Sequence, residues 1–177
     1  MNVALTGITG YAGFTLYQLL KNHPQVETIN VYQHDLDEPK PLSELNPRLL
    51  DETTTAFPYD PAAVMQSSQV LFLATPAGVS SQWATAYLES DFPIIDLSGD
   101  FRLKDPALYE KWYKKVSASK ANLQKAYYGL ADLKQNKNQH YVATLVVTQP
   151  PPCSVLHHLF SNSSLKKTAF WLMQNQV

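Results

Sequence analysis

At 177 residues with 45% apolar side chains, the chain is long enough for one substantial core, since domains run roughly 100 to 200 residues. Fourteen basic against 15 acidic side chains give a formal net charge of -1, which offers no positive excess to draw the protein onto nucleic acid or an anionic membrane. A lone Cys153 excludes an internal disulfide, no stretch is apolar for long enough to span a bilayer, and Gly7, Gly10 and Gly13 interrupt the N-terminus where a signal peptide needs its apolar core. A cytoplasmic protein with small polar ligands is expected.

Asn2 to Thr6 is a short apolar run stopped by Gly7, Tyr11 to Asn22 carries apolar residues at helical spacing, and Glu27 to Gln33 alternates β-branched and aromatic residues. This reads as strand, helix, strand. Residues 34–61 hold five prolines and many polar side chains, which suggests long connections with one short helix at most. The alternation resumes with a strand over Val70 to Ala74, a helix over Ser80 to Glu89 and a strand over Pro93 to Leu97, followed by a helix over Lys104 to Tyr113. The run Val70-Leu71-Phe72-Leu73 is apolar on both faces, as strands covered by helices on each side must be. The expected fold class is α/β, with a Rossmann-type doubly wound parallel sheet.

Thr6-Gly7-Ile8-Thr9-Gly10-Tyr11-Ala12-Gly13 places a G-x-x-G-x-x-G loop between the first strand and the first helix. One glycine permits the tight turn, one lets backbone N–H groups approach a pyrophosphate, and one lets helix and strand pack closely. Dinucleotide binding is the expected use, against an ordinary glycine turn. The end of the second strand reads Tyr32-Gln33-His34-Asp35, which does not decide between NAD and NADP. Ala74-Thr75-Pro76-Ala77-Gly78-Val79-Ser80 and Asp96-Leu97-Ser98-Gly99-Asp100-Phe101-Arg102 each follow a strand, at the carboxyl edge where such sheets bind ligands. Thr75, Pro76 and Gly78 join the cofactor-binding candidates, with helix capping by Ser80 as the structural alternative. Ser98, Asp100 and Arg102 suit an anionic substrate, because arginine pairs bidentately with carboxylate or phosphate, whereas an internal Asp100–Arg102 pair is the other reading.

The glycine loop with Tyr11, the Thr75 to Ser80 turn, the run Asp96 to Pro106, Tyr109-Glu110-Lys111-Trp112-Tyr113 and Tyr128-Gly129-Leu130 resemble, in order and spacing, the N-terminal part of the N-acetyl-gamma-glutamyl-phosphate reductase family. The resemblance covers residues 1–143. It implies NADPH-dependent reduction of N-acetylglutamyl 5-phosphate to the semialdehyde in arginine biosynthesis, and a homo-oligomer in the full-length family. A cysteine thiolate attacks the acyl phosphate, the thioester accepts hydride, and a histidine of a second domain serves as acid and base. Two departures stand out: Ala77 replaces the usual histidine of that turn, and the serine and arginine expected after the second strand for a 2′-phosphate are absent.

After Ala143 the family continues Asn-Pro-Gly-Cys-Tyr-Pro-Thr, whereas this chain reads Thr144-Leu145-Val146-Val147-Thr148-Gln149-Pro150. Codons for these seven residues, each started one base earlier, can encode the family segment without conflict. The codons for Ala169 to Val177, shifted alike, can read Gly-Ile-Leu-Val-Asp-Ala-Lys-Ser-Gly. Residues 144–177 also contain no Asp or Glu and no sustained periodicity. We therefore expect a base missing near the Ala143 codon, an out-of-frame or disordered tail over 144–177, and no second domain. Cys153 is then not the nucleophile, adjacent His157 and His158 are not spaced as metal ligands, and no residue of the chain is assigned a catalytic or metal-binding role. The competing expectations are a non-catalytic dinucleotide-binding module and another semialdehyde dehydrogenase.

Overall fold

The computed structural model describes residues 1–50, 52–129 and 140–144. The backbone divides after Pro76 into two compact units.

In the first unit, β1 (Asn2–Thr6) leads through the glycine loop into α1 (Tyr11–Lys21) and then β2 (Thr28–Gln33). β3 (Lys40–Pro41), α2 (Leu42–Leu45) and a one-turn 3₁₀ helix (Pro47–Leu49) precede β4 (Thr55–Pro58), α3 (Pro61–Ser67) and β5 (Val70–Leu73). The strand order is β3-β4-β2-β1-β5. Every pairing is parallel except that of the two-residue β3 with β4. Val3 stands opposite both Ile29 and Val70, and Leu5 opposite Val31 and Phe72. All four residues of β5 are buried, as its unbroken apolar run requires. α1 lays Gly13, Leu16, Tyr17 and Leu20, a 3–4 spacing, on the sheet, and each large apolar side chain so covered is worth about 1.5–3 kcal/mol.

The second unit contains α4 (Ser80–Glu89), β6 (Ile94–Asp96), α5 (Pro106–Tyr113), α6 (Lys120–Lys125), β7 (Tyr127–Tyr128) and β8 (Tyr141–Ala143). β8 lies between β6 and β7 and is parallel to both, with Ile94 opposite Tyr141 and Tyr127 opposite Val142. Phe101 and Tyr141 pack ring to ring with centroids 4.4 Å apart. α6 packs on α4, and the Lys125 ammonium donates to the Leu88 carbonyl at 3.2 Å.

The α/β class and the sequence of strands and helices agree with expectation, with three differences. Residues 34–61 are more ordered than five prolines suggest: β4 extends the sheet because Val31 and Tyr32 find partners in Ala56 and Phe57, and Pro41, Pro47, Pro58 and Pro61 sit at an edge strand, helix starts and a strand end, where a missing N–H costs little. The helix expected from Lys104 begins at Pro106, because Asp105 caps it, accepting from the Ala107 N–H at 3.0 Å. Lys104 instead reaches the carbonyls of Leu123 and Ala126. The short α3, α6, β7 and β8 had no expectation. Readings that concern residues 145–177, including Cys153, His157 and His158, lie outside the described residues.

Candidate functional site

In the first unit the parallel strands bring the glycine loop and Ala74–Pro76 to one sheet edge. The Ala74 N–H donates to the Thr6 carbonyl at 3.2 Å, and the buried Thr6 hydroxyl donates to the Phe72 carbonyl at 3.4 Å. Gly7 has φ +82°, and a Cβ there would stand 2.2 Å from the Ala74 carbonyl oxygen; the turn requires glycine on both counts. The Gly10 N–H closes the turn on the Gly7 carbonyl at 3.1 Å. Gly13 is equally constrained, since its Cβ would lie 2.0 Å from the Gly7 oxygen. Ile8 is buried and anchors the loop, while Thr9, Gly10 and Tyr11 are exposed and Ala12 is half-buried.

Gly10 is different in kind. A Cβ at Gly10 would meet the Gly7 oxygen only at 3.5 Å, ordinary van der Waals contact, so the protein's own packing does not demand glycine there. It is also the N-cap of α1 and brings no side chain to accept from the first-turn amides. By contrast α3, α5 and α6 are capped by Asp60, Asp105 and Ser119. A helix start with positive partial charge and no side-chain acceptor suits an anion.

In the second unit Gly78 takes φ +93°, and its N–H donates to both carboxylate oxygens of Asp100 at 2.8 and 2.9 Å. Asp100 also accepts from the Ser81 N–H at 2.8 Å and the Tyr109 hydroxyl at 2.7 Å. It is fully buried and caps α4 from a distant loop. Burial, then the hydrogen bond to Asp100, pushes the Tyr109 hydroxyl well above the usual tyrosine range, so it remains a donor. Capping by Ser80 is therefore corrected: Val79 holds the cap position, and the Ser80 hydroxyl points to Asp96 Oδ1 at 3.2 Å. The Asp100–Arg102 pair is corrected as well, since no ion pair joins them among the described residues and Asp100 is engaged elsewhere.

Asp96 is the second buried carboxyl. It accepts from the Ser98 N–H at 2.7 Å, the Ser98 hydroxyl at 3.1 Å and the Tyr141 hydroxyl at 2.8 Å. Burial pushes its pKa up to about 6 against those lowering hydrogen bonds, and the nearby Asp100 charge adds to the rise. Ser98 Oγ also accepts from the Asp100 N–H at 3.1 Å, so Ser98 is built into the turn. Arg102 donates through Nη2 to the Leu97 carbonyl at 2.9 Å, and its buried Nε has no hydrogen-bond partner. Of Ser98, Asp100 and Arg102, the guanidinium has the donor left over for an anion. Since β6 and β8 run parallel, Thr144 comes to the same edge, its N–H donating to the Asp96 carbonyl at 2.8 Å.

Residues 2–141 match the family model of the semialdehyde dehydrogenase NAD-binding domain. The chain belongs to this family. Among curated relatives it is similar to the N-acetyl-gamma-glutamyl-phosphate reductase of Limosilactobacillus fermentum, 46% identical over 81% of this chain and 42% of the relative. N-acetyl-gamma-glutamyl-phosphate reductase 2 of Lactiplantibacillus plantarum is 44% identical over 75% of this chain and 39% of its own length. The chain thus spans about two-fifths of the curated relatives it matches. Among solved structures, aspartate semialdehyde dehydrogenase with NADP from Candida albicans superposes with a TM-score of 0.56 at 12% identity, covering 81% of this chain and 41% of that one. Aspartate semialdehyde dehydrogenase II complexed with ASA from Vibrio cholerae gives 0.51 at 17% identity, covering 89% and 44%. These two likenesses show the fold.

As a semialdehyde dehydrogenase NAD-binding domain, the chain carries around its loops two residues that no sequence motif singles out, Asn46 and Tyr141, and one, Tyr109, whose motif does not disclose its role. Asn46 Nδ2 donates to the Ile8 carbonyl at 3.1 Å, and Tyr109 and Tyr141 hold the two buried carboxyls. A tyrosine in a helix or strand reads as core; only the buried acceptor opposite shows why its hydroxyl is needed. Among the described residues no group of His, Cys, Asp and Glu could hold a metal ion, and no helix is long and apolar enough to cross a membrane.

Proposed function

We propose that this chain is the dinucleotide-binding part of an NADP-dependent N-acetyl-gamma-glutamyl-phosphate reductase, and that as it stands it binds cofactor without turnover. The observation that carries the reading is the α1 start without a side-chain cap on a glycine loop, in a chain 46% identical to a reductase of that name. In this proposal Thr6, Gly7, Thr9, Gly10, Tyr11, Ala12 and Gly13 cradle the pyrophosphate, and Thr75, Pro76 and Gly78 line the cofactor's path. Arg102 is the substrate-binding cation, positioned by a turn that Ser98 and Asp100 stiffen. Bound nicotinamide supplies hydride; the chain's own residues bind and orient.

The sequence from Thr144 to Pro150 takes the place of the cysteine segment found in that family, which is why no turnover is expected. Resequencing the coding DNA across the Ala143 codon tests that part: an additional base that restores Asn-Pro-Gly-Cys makes the gene product a working reductase, and an unbroken message with no family-like second frame removes the frame-shift account. Homo-oligomerisation belongs to the longer protein in the same proposal.

Gly10→Ala tests the loop. Its methyl meets only ordinary contacts at a φ of -81°, so melting without ligand stays as in the parent. NADPH affinity falls at least about tenfold, as phosphate contacts on the order of 1.5–3 kcal/mol are lost. Unchanged NADPH titration by intrinsic fluorescence rejects the loop as the phosphate site.

A further inference from the structure

We propose that Arg48 reads the phosphate on the adenosine ribose and so gives this domain its preference for NADP over NAD; this rests on the dinucleotide reading of the glycine loop. The end of β2, where that selection is commonly made, reads Tyr32-Gln33-His34-Asp35 and offers neither lysine nor arginine. The Tyr32 hydroxyl is already shared with Ser67 at 2.8 Å. The first unit has three cationic side chains, Lys21, Lys40 and Arg48. Lys21 is paired with Glu52 at the far end of α1, and Lys40 lies in the edge strand β3. Arg48 alone is carried to the glycine loop.

What carries it there is a pair of fastenings, Asn46 at the glycine loop and Glu52 with Thr54 on α1. At the loop end Asn46 donates to the Ile8 carbonyl at 3.1 Å and accepts from the Arg48 N–H at 3.1 Å. At the other end Glu52 accepts from the Tyr17 hydroxyl at 3.1 Å and from the Lys21 ammonium, and Thr54 shares the Tyr17 hydroxyl at 3.1 Å. Between them the Arg48 guanidinium carbon stands 6.0 Å from the Tyr11 ring centroid and 5.5 Å from that of Phe14. Tyr11 is the first residue of α1, directly after Gly10. A guanidinium resting on rings keeps a planar fork of N–H donors along its edge, the shape that grips phosphate. Arg48 is exposed, so the fork is reachable from solvent. The arginine missing from the end of β2 is thereby replaced by one delivered from a different segment to the opening of the same loop.

The test uses the 177-residue chain, its Arg48→Gln and Arg48→Lys variants, and NADPH and NADH as probes. In the parent NADPH is expected to bind at least tenfold more tightly than NADH. Arg48→Gln should weaken NADPH ten- to hundredfold and change NADH less than twofold, with Arg48→Lys in between. Equal weakening of both cofactors would place Arg48 on the shared pyrophosphate, and no change in either would leave it a surface residue; each result overturns the proposal. A parent that binds neither cofactor overturns the dinucleotide reading itself, and a parent that binds both equally overturns the selectivity alone. Melting without ligand separates unfolding from lost recognition, and if Arg48→Gln does not fold, the NADPH-to-NADH ratio of Arg48→Lys decides.

Discussion

At the scale of single residues, the two buried carboxyls of the second unit behave differently. Asp100 receives two backbone N–H groups and a hydroxyl. Asp100→Ala strands all three donors in the interior, and a loss of about 3 kcal/mol or more in urea unfolding is expected. Asp96 has a folded pKa of about 6 against 3.8 for an unperturbed aspartate, chiefly through burial. The folded state therefore holds this proton more tightly than the unfolded chain does. The associated stability is complete below pH 4 and disappears as pH rises through about 6, a swing on the order of 2–3 kcal/mol. Unfolding free energies at pH 5 and pH 7.5 should differ by about 1–1.5 kcal/mol, the part of that swing lying above pH 5, and Asp96→Asn should flatten that slope. A slope unchanged in Asp96→Asn would assign it to other groups.

At the scale of elements, α5 shows how a helix start is set. Asp105 and Pro106 define it, and Asp105→Ala is expected to cost about 1 kcal/mol in thermal or chemical melting, the usual worth of an N-cap; no loss would mean that Pro106 alone suffices. The same pair is visible in the sequence, yet local spacing alone extends the helix to Lys104, because its carbonyl partners lie about 20 residues on, in and after α6. That contrast runs through the chain. The glycine loop, α1, β2, β5 and α4 were legible because their signals are local: periodicity, an apolar run, glycine spacing. β4 and β8 were not, because a strand of three or four residues is defined by its neighbours rather than by its own pattern. The site divides in the same way. Gly7 and Gly13 announce themselves, whereas Arg48 reaches the loop only through the tethering of Asn46 and Glu52, and the buried role of Asp100 depends on Tyr109 and on the backbone of Gly78.

At the scale of the molecule, apolar side chains remain at the surface of the second unit. Leu108 and Trp112 share a face of α5 at 45% and 71% exposure, and Val116 follows at 81%. Tyr109, beside them around the helix, is buried. Exposed apolar patches of this kind promote self-association. The chain by itself is therefore expected to scatter light at micromolar concentration, and Trp112→Lys to reduce the scattering without lowering the melting temperature. A parent that stays monodisperse through the same concentration series rejects the expectation.

The hydroxyl of Tyr141 on Asp96 also bears on how the protein is born. The residues it joins are 45 positions apart, and ribosomes add roughly 5–20 residues per second, so about 2 to 9 s pass between the emergence of one partner and the other. The strands of the first unit are all present once Leu73 has been made and can close in that time. β6 must wait with its β8 edge unpaired and with only the serine donors satisfying Asp96. During translation, the most vulnerable part of the second unit is thus β6, and a delay in synthesis between Asp96 and Tyr141 extends the period in which that edge is open to other nascent chains.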